Sequence, residues 1–107
     1  MMSTDPQPST VCVLAEWLAP AADLPSVRAV LRELASRTLQ EPGCLLFDVW
    51  EPVEDGPFVL IEEYADEHAR EVHRSSTHFE ELVLRRAVSM GVQRTIRSFD
   101  RISLKSD

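Results

Sequence analysis

The chain has 107 residues, enough for one domain and too few for a second core. Its apolar fraction of 44% and charged fraction of 27% are ordinary for a globular domain. A formal net charge of -7 argues against nucleic acid and anionic membrane surfaces as partners, because phosphate binding is driven by Lys and Arg.

Residues 1–9 are polar, with no basic patch and no hydrophobic run, and read as a disordered lead-in rather than a secretory leader. No apolar run approaches the roughly 20 residues needed to span a bilayer. The expected location is cytoplasmic. Cys12 and Cys44 sit in apolar strand patterns without C-x-x-C spacing, and buried thiols are expected.

A single domain is expected over residues 10–104, followed by a polar tail at 105–107. Thr10 to Leu18 is the first strand, with Val11, Val13, Ala15 and Trp17 on one face. A helix from Leu24 to Gln40 follows. Val27, Val30, Leu31, Leu34, Ala35 and Leu39 form its apolar stripe, and Pro42-Gly43 stops it. Cys44 to Glu51 and Phe58 to Ala65 are strands joined through Asp55-Gly56, a hairpin signal. Asp66 can cap a short helix over Glu67 to His73. Thr77-x-x-Glu80 has the form of a capping box, so a further helix should begin at His78 and end at Gly91. Val92 to Leu104 is the last strand.

The order β-α-β-β-α-α-β is that of the ferredoxin-like split βαβ fold with one helix broken in two. The expected class is α+β: a four-stranded antiparallel sheet with helices on one face. Such a sheet should alternate apolar and polar residues, because its other face is wet. These strands are apolar on both faces. Leu45, Phe47 and Val49 oppose Cys44, Leu46 and Trp50. A second copy packed sheet to sheet is the simplest cover, so a homodimer is expected.

Four fragments then stand in order: Glu41-Pro42-Gly43-Cys44-Leu45, Phe47-Asp48-Val49-Trp50, Phe58 through Glu62-Glu63-Tyr64, and His73 through Thr77-His78-Phe79. Together they resemble the antibiotic biosynthesis monooxygenase family of dimeric α+β barrels, over roughly residues 10–103. Phe47 departs from the pattern, since many relatives have Tyr there. The family holds cofactor-free oxygenases of aromatic polyketides, quinol oxidases, haem-degrading members and an isomerase of a signalling sugar. The resemblance implies a cofactor-independent monooxygenase that oxidises an electron-rich aromatic, such as a quinol or anthrone, with dioxygen. A non-redox isomerase and a non-catalytic binding module are the alternatives.

The candidate catalytic residues are His73, Glu62 and His78. His73 lies on the inner stripe of its short helix, where an imidazole can act as base or acid, or sit neutral and satisfied by backbone. Glu62 shares a strand face with Phe58, Leu60 and Tyr64. A carboxylate there is paired to an arginine such as Arg94 or Arg97, protonated, or in a wet cavity. Glu63 is the alternative inward residue, since register is not fixed by sequence. His78 follows the cap and can line a pocket mouth; His68 falls on the outer side. Trp50, Tyr64, Phe47 and Phe79 are the candidate substrate-binding residues. No histidine pair has metal-ligand spacing on one helix, and no Gly-rich phosphate loop is present, so neither metal nor cofactor is expected.

Overall fold

The computed structural model describes residues 10–104. The expected disordered lead at 1–9 and polar tail at 105–107 lie outside the described residues. Four strands, β1 (Val11–Leu18), β2 (Cys44–Trp50), β3 (Phe58–Tyr64) and β4 (Gln93–Phe99), form one sheet in the order β2-β3-β1-β4, with every neighbour antiparallel. Helices α1 (Leu24–Thr38), α2 (Glu67–Arg74) and α3 complete the ferredoxin-like α+β architecture. The helix α3 has wide π turns over Phe79–Ala87, flanked by α-helical residues at 77–78 and 88–89. Nine residues of π geometry is unusual, since π turns mostly occur singly and often mark functional sites.

The core lies between the helices and one face of the sheet. Trp17, Leu60 and Phe58 from the sheet meet Val27, Val30 and Leu34 of α1 and Leu82 and Val83 of α3. All are at most 2% exposed. On β3 the pattern is strict: Phe58, Leu60, Glu62 and Tyr64 are buried, and the residues between them are half-exposed. This settles the register, with Glu62 inward and Glu63 outward, 3.5 Å from Arg101.

Three details differ from the sequence reading. First, β2 carries a bulge. Cys44 pairs with Tyr64 but Leu46 pairs with Glu63, so Leu45 is the extra residue. The bulge puts Cys44 and Phe47 on the same side and leaves Leu45 half-exposed, which breaks the simple alternation. Second, the cap of α3 is Ser76, one residue before Thr77. Its hydroxyl accepts from the Phe79 N–H at 3.2 Å and donates to the His73 carbonyl at 2.6 Å. It therefore ties α2 to α3 where the short helix stops. Third, α1 ends at Thr38 and β4 at Phe99, both short of the expected bounds. The backbone of 39–41 turns instead, with the Glu41 N–H donating to the Thr38 carbonyl at 3.0 Å.

Asp66 caps α2 as expected, accepting from the Ala69 N–H at 2.8 Å. Gly91 closes α3 at φ +80°, with Val92 bonding back to Ala87 and Gly91 to Val88, the Schellman arrangement.

Gly43 matters for a different reason. A Cβ built there would collide with the Cβ of Ala69 on α2. The loop after α1 therefore passes directly against α2, and the Gly43 carbonyl accepts from Ala65 at 2.8 Å. Gly43→Ala should force α2 outward and destabilise the protein by about 1–3 kcal/mol, the scale of overpacking. Urea unfolding checks this; an unchanged midpoint would show that α2 yields freely.

Candidate active site

Glu62 is the centre of the site. Its strand position points it into the core, where the residue is only 7% exposed. Its partners are Tyr64, two residues along the same face, and His73, delivered by α2. The Tyr64 hydroxyl donates to Glu62 Oε1 at 2.6 Å. The His73 Nε2 lies 3.9 Å from the same oxygen. No arginine comes within ion-pair range of Glu62 among the described residues, so the expected bridge to Arg94 or Arg97 is not formed.

Burial pushes the Glu62 carboxyl above its usual range; the Tyr64 hydrogen bond and the positive field of His73, Arg94 and Arg70 oppose this only in part. Burial also pushes the Tyr64 phenol well up, reinforced by the charge and hydrogen bond of Glu62, so Tyr64 stays a neutral donor. Cys44, half-buried behind them, is raised to about 11 by burial and is an inert thiol at neutral pH.

His73 is 3% exposed and is held on every side. Its Nδ1 lies 2.9 Å from Glu41 Oε2. Phe79 meets it edge-on with ring centroids 5.2 Å apart, and Tyr64 lies tilted at 5.2 Å. Phe47 backs it at 6.3 Å. His78 reaches the same Glu41 oxygen through Nε2 at 2.5 Å. Glu41 is not among the residues that the sequence singles out. Its one signal in the sequence is position: an acid at the joint between α1 and the Pro42-Gly43 turn, inside a motif fragment.

Glu62, Tyr64, His73 and Phe79 face one cavity of about 270 Å³ between the sheet and the helices. Its apolar wall includes Trp17, Leu60 and Val83. Arg94 enters from β4, with its guanidinium 5.5 Å over the Phe79 ring and 6.0 Å from that of Trp17. The Arg94 Nε is buried without a partner. Arg70 and Arg74 lie at the α2 wall.

Two of the four candidate substrate-binding residues, Tyr64 and Phe79, line this cavity. Phe47 is buried but supports His73 from behind and borders a separate depression beside α1. Trp50 is on the outer face of the sheet, 61% exposed, and does not reach the cavity. Its pairing with the outward Val59 puts it there, opposite to Phe47. His78 lies behind His73, on the Glu41 side, and His68 is exposed.

The class defined by this architecture is the ferredoxin-like α+β fold, here with a buried Glu62–Tyr64–His73 set beside a cavity. The sequence profile of the family "Antibiotic biosynthesis monooxygenase" matches residues 10–84, and the chain belongs to that family. It is 32% identical over 71 residues to Rv0793 of Mycobacterium tuberculosis, covering 66% of this chain and 70% of that protein, whose name provisionally makes it a monooxygenase. A solved antibiotic biosynthesis monooxygenase superposes with a TM-score of 0.80 at 31% identity, over 87% of this chain and 99% of that one. PA3566 of Pseudomonas aeruginosa shares the fold at a TM-score of 0.83 and 24% identity, over 92% of this chain and 100% of that one.

The raised Glu62 carboxyl has a consequence for stability. The folded state holds the Glu62 proton more tightly than the unfolded chain does. Its contribution is therefore fully present below the unfolded value of about 4.3 and is lost as pH rises through the folded value. Glu62→Gln removes that loss while its amide oxygen can still accept from Tyr64. The variant should melt above wild type at about pH 8, with the gap closing toward about pH 4. Melting curves across pH check this; a pH-independent gap would mean that burial does not raise the Glu62 carboxyl.

Proposed function

We propose that the protein is a cofactor-independent monooxygenase of an electron-rich aromatic, of the quinol or anthrone type, using dioxygen. The observation that carries this reading is the buried Glu62, held by Tyr64 and His73 in a largely apolar cavity. The family supports monooxygenase chemistry in general, and the cavity supports the substrate class.

In this reading Glu62 takes a proton from the substrate, as a carboxylate raised by burial is suited to do. His73 lies beside that carboxyl through Nε2, with its ring held on the other side at Glu41. The substrate anion is the electron donor. For an anthrone-like methylene, one electron passes to dioxygen, and the resulting radical pair joins into a peroxide at carbon. Loss of the second C–H proton and cleavage of the O–O bond leave a carbonyl and one water. The substrate thus supplies all the electrons. Trp17, Phe79 and Val83 exclude water from the anion. The Arg94 cation over Phe79 favours negative charge on the ring system.

A second reading, proton-transfer isomerisation, draws on Arg70, Arg74 and Arg94, three cations suited to a polar, anionic substrate. The open cavity and the absence of an arginine bridge to Glu62 weigh against a purely structural module.

The protein is further proposed to be a homodimer joined through the outer sheet face. Trp50 and Phe99 are exposed there, at 61% and 42%, with Leu14, Leu46 and Ile61 half-covered between them. Trp50 would then serve the interface rather than the substrate. Trp50→Glu should shift the sedimenting species from dimer to monomer. A wild type that sediments as a monomer would overturn this part.

The function is tested by oxygen uptake with chelator-treated protein against quinols and anthrones. Glu62→Gln should lower the rate by roughly 100-fold or more, the scale of general-base loss, with folding intact. His73→Ala should also lower it. Uptake absent in wild type across the panel would remove the oxygenase reading and favour the isomerase.

A further inference from the structure

Behind the cavity, three side chains from three elements converge. Glu41 comes from the turn after α1, His73 from α2, and His78 from the start of α3. One donor atom from each lies within 4.8 Å of the others. Nothing in the proposed reaction needs this much: orienting His73 takes one acceptor, and His78 is left over. Sequence spacing does not reveal the group, since Glu41 lies 32 residues before His73 and 37 before His78.

We propose that Glu41, His73 and His78 form a binding site for a divalent transition-metal ion, with zinc the best chemical fit. Two imidazoles and one carboxylate are the donor set of three-ligand zinc sites. With neutral imidazoles the set carries a single negative charge, which a divalent ion more than balances.

Four observations support a ligand here rather than a closed hydrogen-bond cluster. One Glu41 oxygen, Oε2, is shared by both imidazoles, while Oε1 is buried and has no partner. The Glu41 side chain is only 10% exposed, so water does not readily satisfy that oxygen. A metal ion would engage both histidines at once and could use Oε1 as well. Beyond His73, its Nε2 faces Glu62 at 3.9 Å. With Nδ1 bound to the ion, Nε2 would carry the proton and point it at that carboxylate, the outer partner that metal-bound histidines usually have. Finally, Glu41 and His78 border a wide surface depression with Gln40 and Ser36. It gives an ion a way in and leaves a coordination position for water. Arg37 stands at this mouth but is drawn to Glu33, 3.5 Å away.

The site lies on the far side of His73 from the cavity, so the ion would not touch the substrate. It would join the turn after α1 to α2 and α3, and fix the tautomer of His73.

The test is titration of the chelator-treated full-length protein with zinc by calorimetry and with cobalt(II) by visible absorption. One ion per chain, cobalt bands of a four-coordinate site and a raised melting temperature are expected. Glu41→Gln and His78→Ala should each weaken binding by more than ~10-fold. His68→Ala, which alters an exposed histidine, should leave it unchanged. Binding that is absent, or that survives Glu41→Gln, overturns the proposal. If Glu41→Gln proves unfolded by circular dichroism, His78→Gln decides in the same way. Because binding is read without substrate, failure here leaves the oxygenase reading intact, and failure of oxygen uptake leaves the metal site intact.

Discussion

A carboxylate set in the middle of a buried strand face is the constraint on which this structure turns. Glu62 stands where Phe58 and Leu60 continue the core, and leaving it there unpaired would be costly. The fold answers with hydrogen bonding and field rather than with an ion pair. Tyr64 donates from the same face, His73 is brought in on α2, and Arg94 contributes positive potential at longer range. The carboxyl stays easier to protonate than an exposed one. Such a group is poor for stability and suited to the proton transfer proposed for it.

The short helix α2 carries His73 to that carboxylate. Eight residues make a marginal helix in isolation. It is fixed by the Asp66 cap at one end, by Ser76 linking it to α3 at the other, and by Gly43, whose missing side chain lets the preceding turn lie against Ala69. Only then is His73 held tightly enough for its two nitrogens to face different carboxylates. Glu41 on one side and Glu62 on the other make the ring a junction between the cavity and the surface depression behind it.

The two faces of the sheet divide the work. The inner face carries the core and the cavity. The outer face keeps Trp50 and Phe99 in the open, with more apolar area than a solvated sheet needs. The register of β2 sets which of its residues go where: Phe47 pairs with the inward Glu62 and Trp50 with the outward Val59. A hydrophobic residue's value to the site thus depends on the register of an edge strand.

Much of this was legible in the chain. Helical stripes, the Asp55-Gly56 and Pro42-Gly43 breaks and the Asp66 cap are local signals, because the physics behind them acts within a few residues. They determined the element order, and with it the ferredoxin-like α+β class. The strand period also placed Glu62 beside Tyr64, and the helical period placed His73 inward. What only the tertiary structure decided is long-range. Glu41 becomes a partner of His73 and His78 only when the end of α1 is laid against α2, and no periodicity encodes that contact. Arg94 reaches the cavity because β4 pairs with β1 in one register. Trp50 stays out of it because Phe47 pairs with the inward Glu62, which puts Trp50, three residues on, on the outer face. Local rules name the elements; the side chains that meet across them are fixed by packing.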